Sequence, residues 1–546
     1  MPGYFVMPVW QTFTKAPQIV LARHESGAGF MADGYSRLSG KLGVVLATIG
    51  PGMTNCVTGV ACAYRDSVPL LVITGQAPTA TYGRGAFLES YILDRAVSPA
   101  ALFSPITKKS IEIIDPANAA FLIDAAIGLA LSGRPGPVHL SIPIDLQQQD
   151  IPVPAATDGA PAPAPGPVVT AAVLDGPFAD AAAALGRAER PLVLAGWGAS
   201  RAGVGADVGR LAEATGAAVV TTTKAVSCLP ATHPLLLGHL GPGQRSDIVA
   251  AVQEYRPDVV AVLGASLSAF YATPLQPLLA GATLIRADVD ADQLGLRATP
   301  DIALHGDLTR VAPALADAAR RERGERVAGP AAELVARFQD RGRRASAALG
   351  AEFDGAASMS GAVARLSALL PDDTVVVPDA GNHWLDTISL HRAPLAGGLQ
   401  LNCGIGAMGW AIGAAVGMAF ARPAGRTVCI TGDGSMLMHG AELSVAAEHG
   451  LNLLTVVFNN ASHARVRLGQ QQDFNGDTLA TDIPEIDFGR WMGALGVRHL
   501  LVERPDQVEP VFREALALAG TVGVEVRCRA DEVPASMRAW IEDVPA

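Results

Sequence analysis

The stretch "GRTVCITGDGS" (425–435), read with "LNLLTVVFNN" (451–460), decides the fold of this 546-residue chain. Each is a short β-branched run that ends in small or polar residues. An apolar run of that length, bounded by turn residues, reads as a strand buried on both faces. Gly432-Asp433-Gly434 follows the first run and Asn459-Asn460 follows the second, with 27 positions between Asp433 and Asn460. Both groups therefore stand at the carboxyl ends of successive parallel strands, the edge where open α/β sheets bind ligands. Glycines on both sides of Asp433 let the backbone approach a diphosphate, and the following helix points its N-terminal amides at the anion. The Asp433 carboxylate and the Asn460 amide oxygen, with phosphate oxygens and water, make an incomplete magnesium shell, and the Ser462 carbonyl is a further ligand. Either group alone is a weak signal and reads more readily as a turn. The pair at this separation signals a site.

Outward from this pair the same rhythm recurs. "DTVVVPDAGN" (373–382) and "GTVGVEVRCR" (520–529) are further strands of this unit. Upstream, "RPLVLAGWGAS" (190–200), "GAAVVTTT" (216–223) and "PDVVAVLGAS" (257–266) read as parallel strands, followed by a basic, Ala-rich helical stretch near 310–350. At the start, "LGVVLATIGPG" (42–52), "VPLLVITGQ" (68–76) and "GPVHLSIPID" (136–145) form a third set. Strands separated by helical segments imply parallel, doubly wound sheets. The fold class is therefore α/β, with three doubly wound parallel-sheet domains at 1–151, 171–350 and 351–546. The Pro- and Ala-rich segment 152–170 is a linker by composition. "MPGYFVMPVW" (1–10) has no strand–helix unit before it. The expectation is a first domain shortened at its start, or a missing unit upstream.

Composition excludes several classes. Hydrophobic residues make up 49% and charged residues 17%, which is ample for large cores and argues against disorder. The net charge of −11 and the lack of a basic stripe argue against nucleic acid. Gly404 to Ala421 carries no charge over 18 positions. It is built of Gly and Ala rather than large apolar residues, so it reads as a packed interior helix and not a membrane span. The six cysteines form no C-x-x-C pairs, which argues against zinc. With no signal peptide they read as reduced thiols of a cytoplasmic protein.

Gly432-Asp433-Gly434 followed by Asn459-Asn460 resembles the thiamine diphosphate motif shared by acetolactate synthases, pyruvate decarboxylases and benzoylformate decarboxylases. "RHESGAGFMADGYSRLSGKLGVVLATIGPGMTN" (23–55), "PLLVITGQAPT" (69–79) and "GIGAMGWAIGAAVG" (404–417) resemble the acetolactate synthases in particular. The likeness spans the chain and is loosest in the middle. It implies pyrimidine-binding, central and diphosphate-binding domains in that order, with thiamine diphosphate and Mg2+ as cofactors. Glu25 matches the glutamate that bonds the aminopyrimidine ring. A carboxyl in a dry site can share a proton with that ring and so activate the thiazolium carbon. Met408 matches the apolar wedge that bends the cofactor, with the Gly406 and Met408 carbonyls facing the pyrimidine. Gly381-Asn382-His383 matches the loop near the diphosphate, beside Gly432, Gly434 and Ser435.

The substrate side departs from the pattern. "RGAFLES" (84–90) has Phe87-Leu88 where the family usually reads Phe-Gln, which removes a polar contact. Lys108 and Lys109 stand where the family has a basic residue, but also read as a solvated pair. His463 is an acid–base candidate that reads equally as a surface histidine. No adjacent His-His pair like that of the pyruvate decarboxylases is present. The central domain resembles one that holds FAD, but "LGASLSAFY" (263–271) lacks the charges expected beside a flavin, so FAD is not expected.

The resemblance places the active site between subunits, as a homodimer or homotetramer in which Glu25 meets Asp433 of another copy. The expected activity is a carboligase that decarboxylates a 2-oxo acid such as pyruvate and transfers the activated aldehyde to a second carbonyl. A decarboxylase, C–C lyase or diketone hydrolase is the alternative. A non-catalytic homologue is a third reading, against which intact Glu25, Asp433 and Asn460 argue.

Overall fold

The computed structural model describes residues 2–12, 19–90, 97–151, 176–245, 247–268, 279, 281–324, 330–350 and 352–542. The linker 152–170 lies outside them, as does the end of the 263–271 segment.

Three parallel sheets carry the architecture. The first holds β1 (Gly43–Ala47), β2 (Leu70–Gln76), β3 (Lys109–Glu112) and β4 (Val138–Pro143) in the order β1-β2-β4-β3. The second holds β5 (Pro191–Ala195), β6 (Ala218–Thr222), β7 (Leu236–Leu240), β8 (Val259–Leu263), β9 (Thr283–Asp288) and β10 (Ile302–His305), in the order β10-β9-β8-β5-β6-β7. After a small antiparallel ribbon, β11 (Glu352–Phe353) with β12 (Ala356–Ala357), comes the third sheet. It holds β13 (Val375–Pro378), β14 (Thr427–Gly432), β15 (Leu453–Asn459), β16 (Arg498–Val502) and β17 (Val522–Arg527), in the order β13-β14-β15-β17-β16. Three α/β units with parallel sheets are what the alternating pattern implied.

The pattern missed β3, β7, β9, β10 and β16. Four of these are edge strands, where one side lacks a neighbour and polar residues are tolerated. "KSIE" and "RHLLV" are only partly buried. Within β9, Arg286 is buried because its guanidinium donates to the carbonyls of Leu296, Ala298 and Ala265.

Four helices matter for the site: α1 (Glu25–Ser39), α2 (Asn382–Leu390), α3 (Trp410–Ala421) and α4 (Asp433–His439). Of the uncharged stretch 404–421, residues 404–409 are a loop of bends and turns, and residues 410–421 form α3, an interior helix of 12 residues. At 1.5 Å per residue it is about 18 Å long, too short for a bilayer. Among the described residues no helix is long and apolar enough to cross a membrane. α1 and α3 pack backbone to backbone: a Cβ on Gly34 would lie 2.1 Å from the Ala414 carbonyl, and one on Gly417 1.9 Å from that of Met31.

A buried charge cluster joins the three units. Arg37 on α1 binds Asp33 at 2.6 Å, Asp66 at 2.7 Å and the Leu401 carbonyl at 2.9 Å. Its guanidinium lies 5.4 Å from the Trp197 ring centre and 4.9 Å from that of Trp410. Lys224 of the central unit closes on the same Asp66. Burial opposes the charge on Asp66, yet Lys224 and Arg37 hold its carboxyl below the ordinary value.

Candidate active site

The carboxyl edge of the third sheet gathers those residues named from sequence that belong to the third unit. Asp433 opens α4 directly after β14 and is buried. One of its oxygens accepts the Gly434 amide at 2.7 Å, and the other accepts the Asn460 amide at 2.9 Å. Burial pushes the Asp433 carboxyl up, against the pull of these amides and those of Ala461 and Ser462. A buried carboxylate held only by neutral donors is electrostatically unbalanced, and a cation beside it reverses the shift. Among the described residues no three His, Cys, Asp or Glu side chains form a metal cage. A hard cation here would be held by one carboxylate and neutral oxygens, which suits magnesium.

The second half of the motif divides its labour. Asn459 ends β15 and donates its side-chain amide to Glu525 at 2.8 Å, so it braces the sheet. Asn460 stays half-buried, and its side-chain oxygen accepts the Ser462 amide at 3.1 Å. Ala461 between them has φ +51°. A left-handed non-glycine residue is strained backbone, and the turn it makes brings Asp433, Asn460 and Ser462 into one corner.

His463 and Met408 close the other side. A Cβ on Gly434 would lie 2.8 Å from the His463 ring and 3.1 Å from the Met408 methyl. The imidazole on the loop after β15 and the thioether before α3 therefore converge over the Gly432–Gly434 turn. Gly406, left-handed at φ +71°, is exposed in the same approach.

Gly381 caps α2, whose first residues are Asn382 and His383. A Cβ on Gly381 would meet the His383 ring at 2.5 Å, and one on Gly432 at 3.2 Å. Burial lowers the His383 pKa to about 4, so the ring is neutral near pH 7. Asn382 Oδ1 and His383 Nε2 are buried without a hydrogen-bond partner. Ser435 Oγ lies near the Asp379 carboxylate without a well-formed bond to it. Buried orphan polar atoms are rare in folded proteins. Three of them around glycines that leave the backbone open fit a polar ligand such as a diphosphate.

Models of the thiamine pyrophosphate (thiamine diphosphate) enzymes match the N-terminal binding domain over residues 1–94, the central domain over 178–315 and the C-terminal binding domain over 379–526. The Escherichia coli K12 acetolactate synthase isozyme 1 large subunit is 30% identical over 538 residues, which cover 97% of this chain and 91% of that one. This chain belongs to the thiamine pyrophosphate enzymes, in the acetolactate-synthase-like group. The E. coli isozyme 2 large subunit is 31% identical, covering 93% of this chain and 88% of that one. The Arthrospira platensis acetolactate synthase is 30% identical, covering 97% and 91%. A solved Mycobacterium smegmatis structure, described as a candidate thiamin diphosphate-dependent enzyme, shares the fold. Its TM-score is 0.78 at 24% identity, covering 97% of this chain and 95% of that one.

In this thiamine pyrophosphate enzyme Glu25 begins α1 and is half-buried, with its carboxylate accepting the Asn55 amide at 3.0 Å. Of the substrate-side residues, Phe87 and Leu88 lie elsewhere in the first unit. Phe87 is 76% exposed and stacks on Phe5 at 6.4 Å. Leu88 has φ +55°, and its side chain reaches the Gly50 turn. No hydrogen bond or ring contact of Phe87 or Leu88 to the third unit occurs among the described residues. Lys108 is not a solvated lysine: its ammonium donates to the carbonyls of Leu129 at 2.6 Å and Ser132 at 2.8 Å, closing the end of a helix.

The central sheet's carboxyl edge opens on a cleft of about 940 Å3. The segment 263–271 is uncharged, as read, but Arg65, Arg134, Arg201 and Lys224 from other segments line the cleft with Asp288 and Asp307. The lack of charge in 263–271 is therefore no argument against an anionic ligand, which corrects the ground on which a flavin was not expected.

Sequence reasoning missed Asp379. It follows β13, is fully buried, and accepts the Gly409 amide at 2.8 Å and the Thr431 hydroxyl at 3.1 Å. It thus ties the ends of β13 and β14 to the segment that carries Met408. The signal was present, since Asp379 ends an apolar strand two residues before Gly381.

Proposed function

We propose that this acetolactate-synthase-like enzyme is a carboligase. It would decarboxylate a 2-oxo acid such as pyruvate and join the remaining two-carbon unit to a second carbonyl compound. The observation that carries the reading is the convergence of Asp433, Asn460, Met408 and His463 about Gly434. The residues fit a magnesium diphosphate: Asp433, Asn460 and the Ser462 carbonyl would hold the metal, and Gly381, Asn382, His383, Gly432, Gly434 and Ser435 would line the diphosphate. Bound thiamine diphosphate supplies a nucleophilic carbon and an electron sink for the 2-oxo acid. Glu25 holds a proton at the pyrimidine ring. Met408 would pack against the bound cofactor, with the Gly406 carbonyl toward its pyrimidine ring. His463 is within reach to give or take a proton at the reacting carbonyl. The overall change is redox-neutral, so a flavin in the central cleft would transfer no electrons.

The reading takes the domain bounds 1–151, 171–350 and 351–546, and a cytoplasmic homodimer or homotetramer in which Glu25 serves the site of another copy. An active monomer on gel filtration would refute that assembly. Leu88 favours a second reading. An apolar side chain where the family usually has an amide weakens polar selection of the second carbonyl, so a decarboxylase, C–C lyase or diketone hydrolase is the alternative.

Mass spectrometry of the product from pyruvate, with and without thiamine diphosphate and Mg2+, tests the choice. Acetolactate formed only with both supports the carboligase. Acetaldehyde alone selects the alternative.

A further inference from the structure

We infer that Glu442, in the third unit, is a positioning residue for Glu25. The inference rests on the proposed role of Glu25. α1 begins at Glu25 with His24 as its N-cap, whose ring accepts the Ser26 amide at 3.2 Å. A helix start of this kind is commonly completed by a Glu or Gln at the third helical position, which reaches back to the amide of the N-cap. Here that position is Gly27, which has no side chain. The carboxylate of Glu442 enters in its place. It accepts the His24 amide at 2.9 Å with one oxygen and the Arg23 amide at 2.9 Å with the other.

The fit leaves no room for anything else. A Cβ on Gly27 would lie 2.0 Å from the Glu442 carboxylate. Glu442 is 1% exposed, so the two amides are its answer to burial. A negative group at a helix N-terminus is also favoured by the helix dipole. Around it, Arg23 donates to Ser444 at 2.8 Å and pairs with Glu448 at 2.6 Å, and His24 meets His439 edge to face at 5.9 Å.

The chain that leads to this clasp begins at the metal corner. Asp433 opens α4, His439 ends it, and Glu442 ends the 3-10 turn that follows directly. One short segment, buried at both ends, therefore runs from the proposed metal ligand to the carboxylate that fixes the start of α1. The capping box of the pyrimidine-side helix is completed by the diphosphate-side domain, and this sets where Glu25 stands.

The test compares Glu442→Ala, Glu442→Gln and Gly27→Ala with wild type and a Glu25→Gln control. Three quantities are read: amide exchange at Arg23 and His24, exchange of the reactive thiazolium proton of bound thiamine diphosphate, and magnesium-dependent affinity for the cofactor. Glu442→Ala should expose both amides and slow thiazolium exchange by about tenfold to a hundredfold, the scale of a misplaced catalytic group, while cofactor affinity stays at the wild-type value. Gly27→Ala, which displaces the carboxylate without removing it, should do the same. Glu442→Gln keeps one acceptor and should fall between, and it decides the matter if the alanine variant does not fold. Wild-type thiazolium exchange in any variant that has lost the amide protection would overturn the inference. So would slowing that only tracks lost cofactor affinity. If Glu25→Gln itself exchanges normally, it is the role of Glu25 that fails.

Discussion

Burial holds the Asp379 carboxyl at about 6, against an ordinary value of 3.8, despite bonds from Ala380, Gly409 and Thr431. The native state therefore binds more protons at this site than the unfolded chain between those values. Stability from this group falls as pH rises from about 3.8 to about 6 and stays low above it. A shift of this size is on the order of 2–3 kcal/mol. Asp379→Asn keeps an acceptor for Gly409 and removes the charge. Melting temperatures of the two proteins between pH 4 and 7 should show a shallower decline in the variant, and parallel curves would remove Asp379 as the source. Asp433 is expected to act through the ligand instead. Asp433→Ala should abolish magnesium-dependent retention of thiamine diphosphate in equilibrium dialysis, and normal retention would move the metal elsewhere.

Among the elements, the pairing of α1 with α3 matters most, because one leads from Glu25 and the other follows Met408. Their glycines permit contact at backbone distance. Gly34→Ala would put a methyl 2.1 Å from the Ala414 carbonyl, and backbone cannot turn aside as a flexible side chain does. Overpacking of this kind costs about 1–3 kcal/mol or more. We expect Gly34→Ala to lower the melting temperature and to weaken activity through a shifted Met408 loop. Gly40→Ala is the control for lost glycine, since a Cβ there meets nothing within 4 Å although φ is +70°. Equal losses from both would mean that backbone freedom, and not helix contact, is what the glycines supply.

For the whole molecule, the Arg37 cluster is the joint. It brings together Asp33 and Asp66 of the first unit, Trp197 and Lys224 of the central one, and Leu401 and Trp410 of the third. Asp33 and Asp66 are fully buried. Arg37→Ala takes from Asp33 its ion-pair partner and leaves Asp66 with Lys224 alone, and removing one partner of a buried pair costs about 3–5 kcal/mol. Calorimetry should show one cooperative transition in wild type resolve into separate, lower ones as the units uncouple. A single transition at the wild-type temperature would show that the apolar contacts suffice.

The sequence by itself determined the three-unit α/β order, every interior strand but β9, and the Asp433–Asn460 corner. Each depends on local pattern: apolar runs of strand length, glycines at strand ends, and a motif whose halves lie on neighbouring strands. His463 stood open between site and surface, and its approach to Gly434 and Met408 was settled only by the fold. Edge strands such as β3 and β16 escaped notice because half-exposed strands need no apolar run. Lys108 was named as a residue near the reactants or a solvated one, and the structure spends it on helix carbonyls. Glu442 gave no signal at all, since "GAEL" is unremarkable and its partners His24 and Arg23 lie 418 and 419 positions away. Local periodicity reports how a segment meets its own sheet. Which carboxylate fills the space beside a glycine of another domain is fixed only when the two surfaces are brought together.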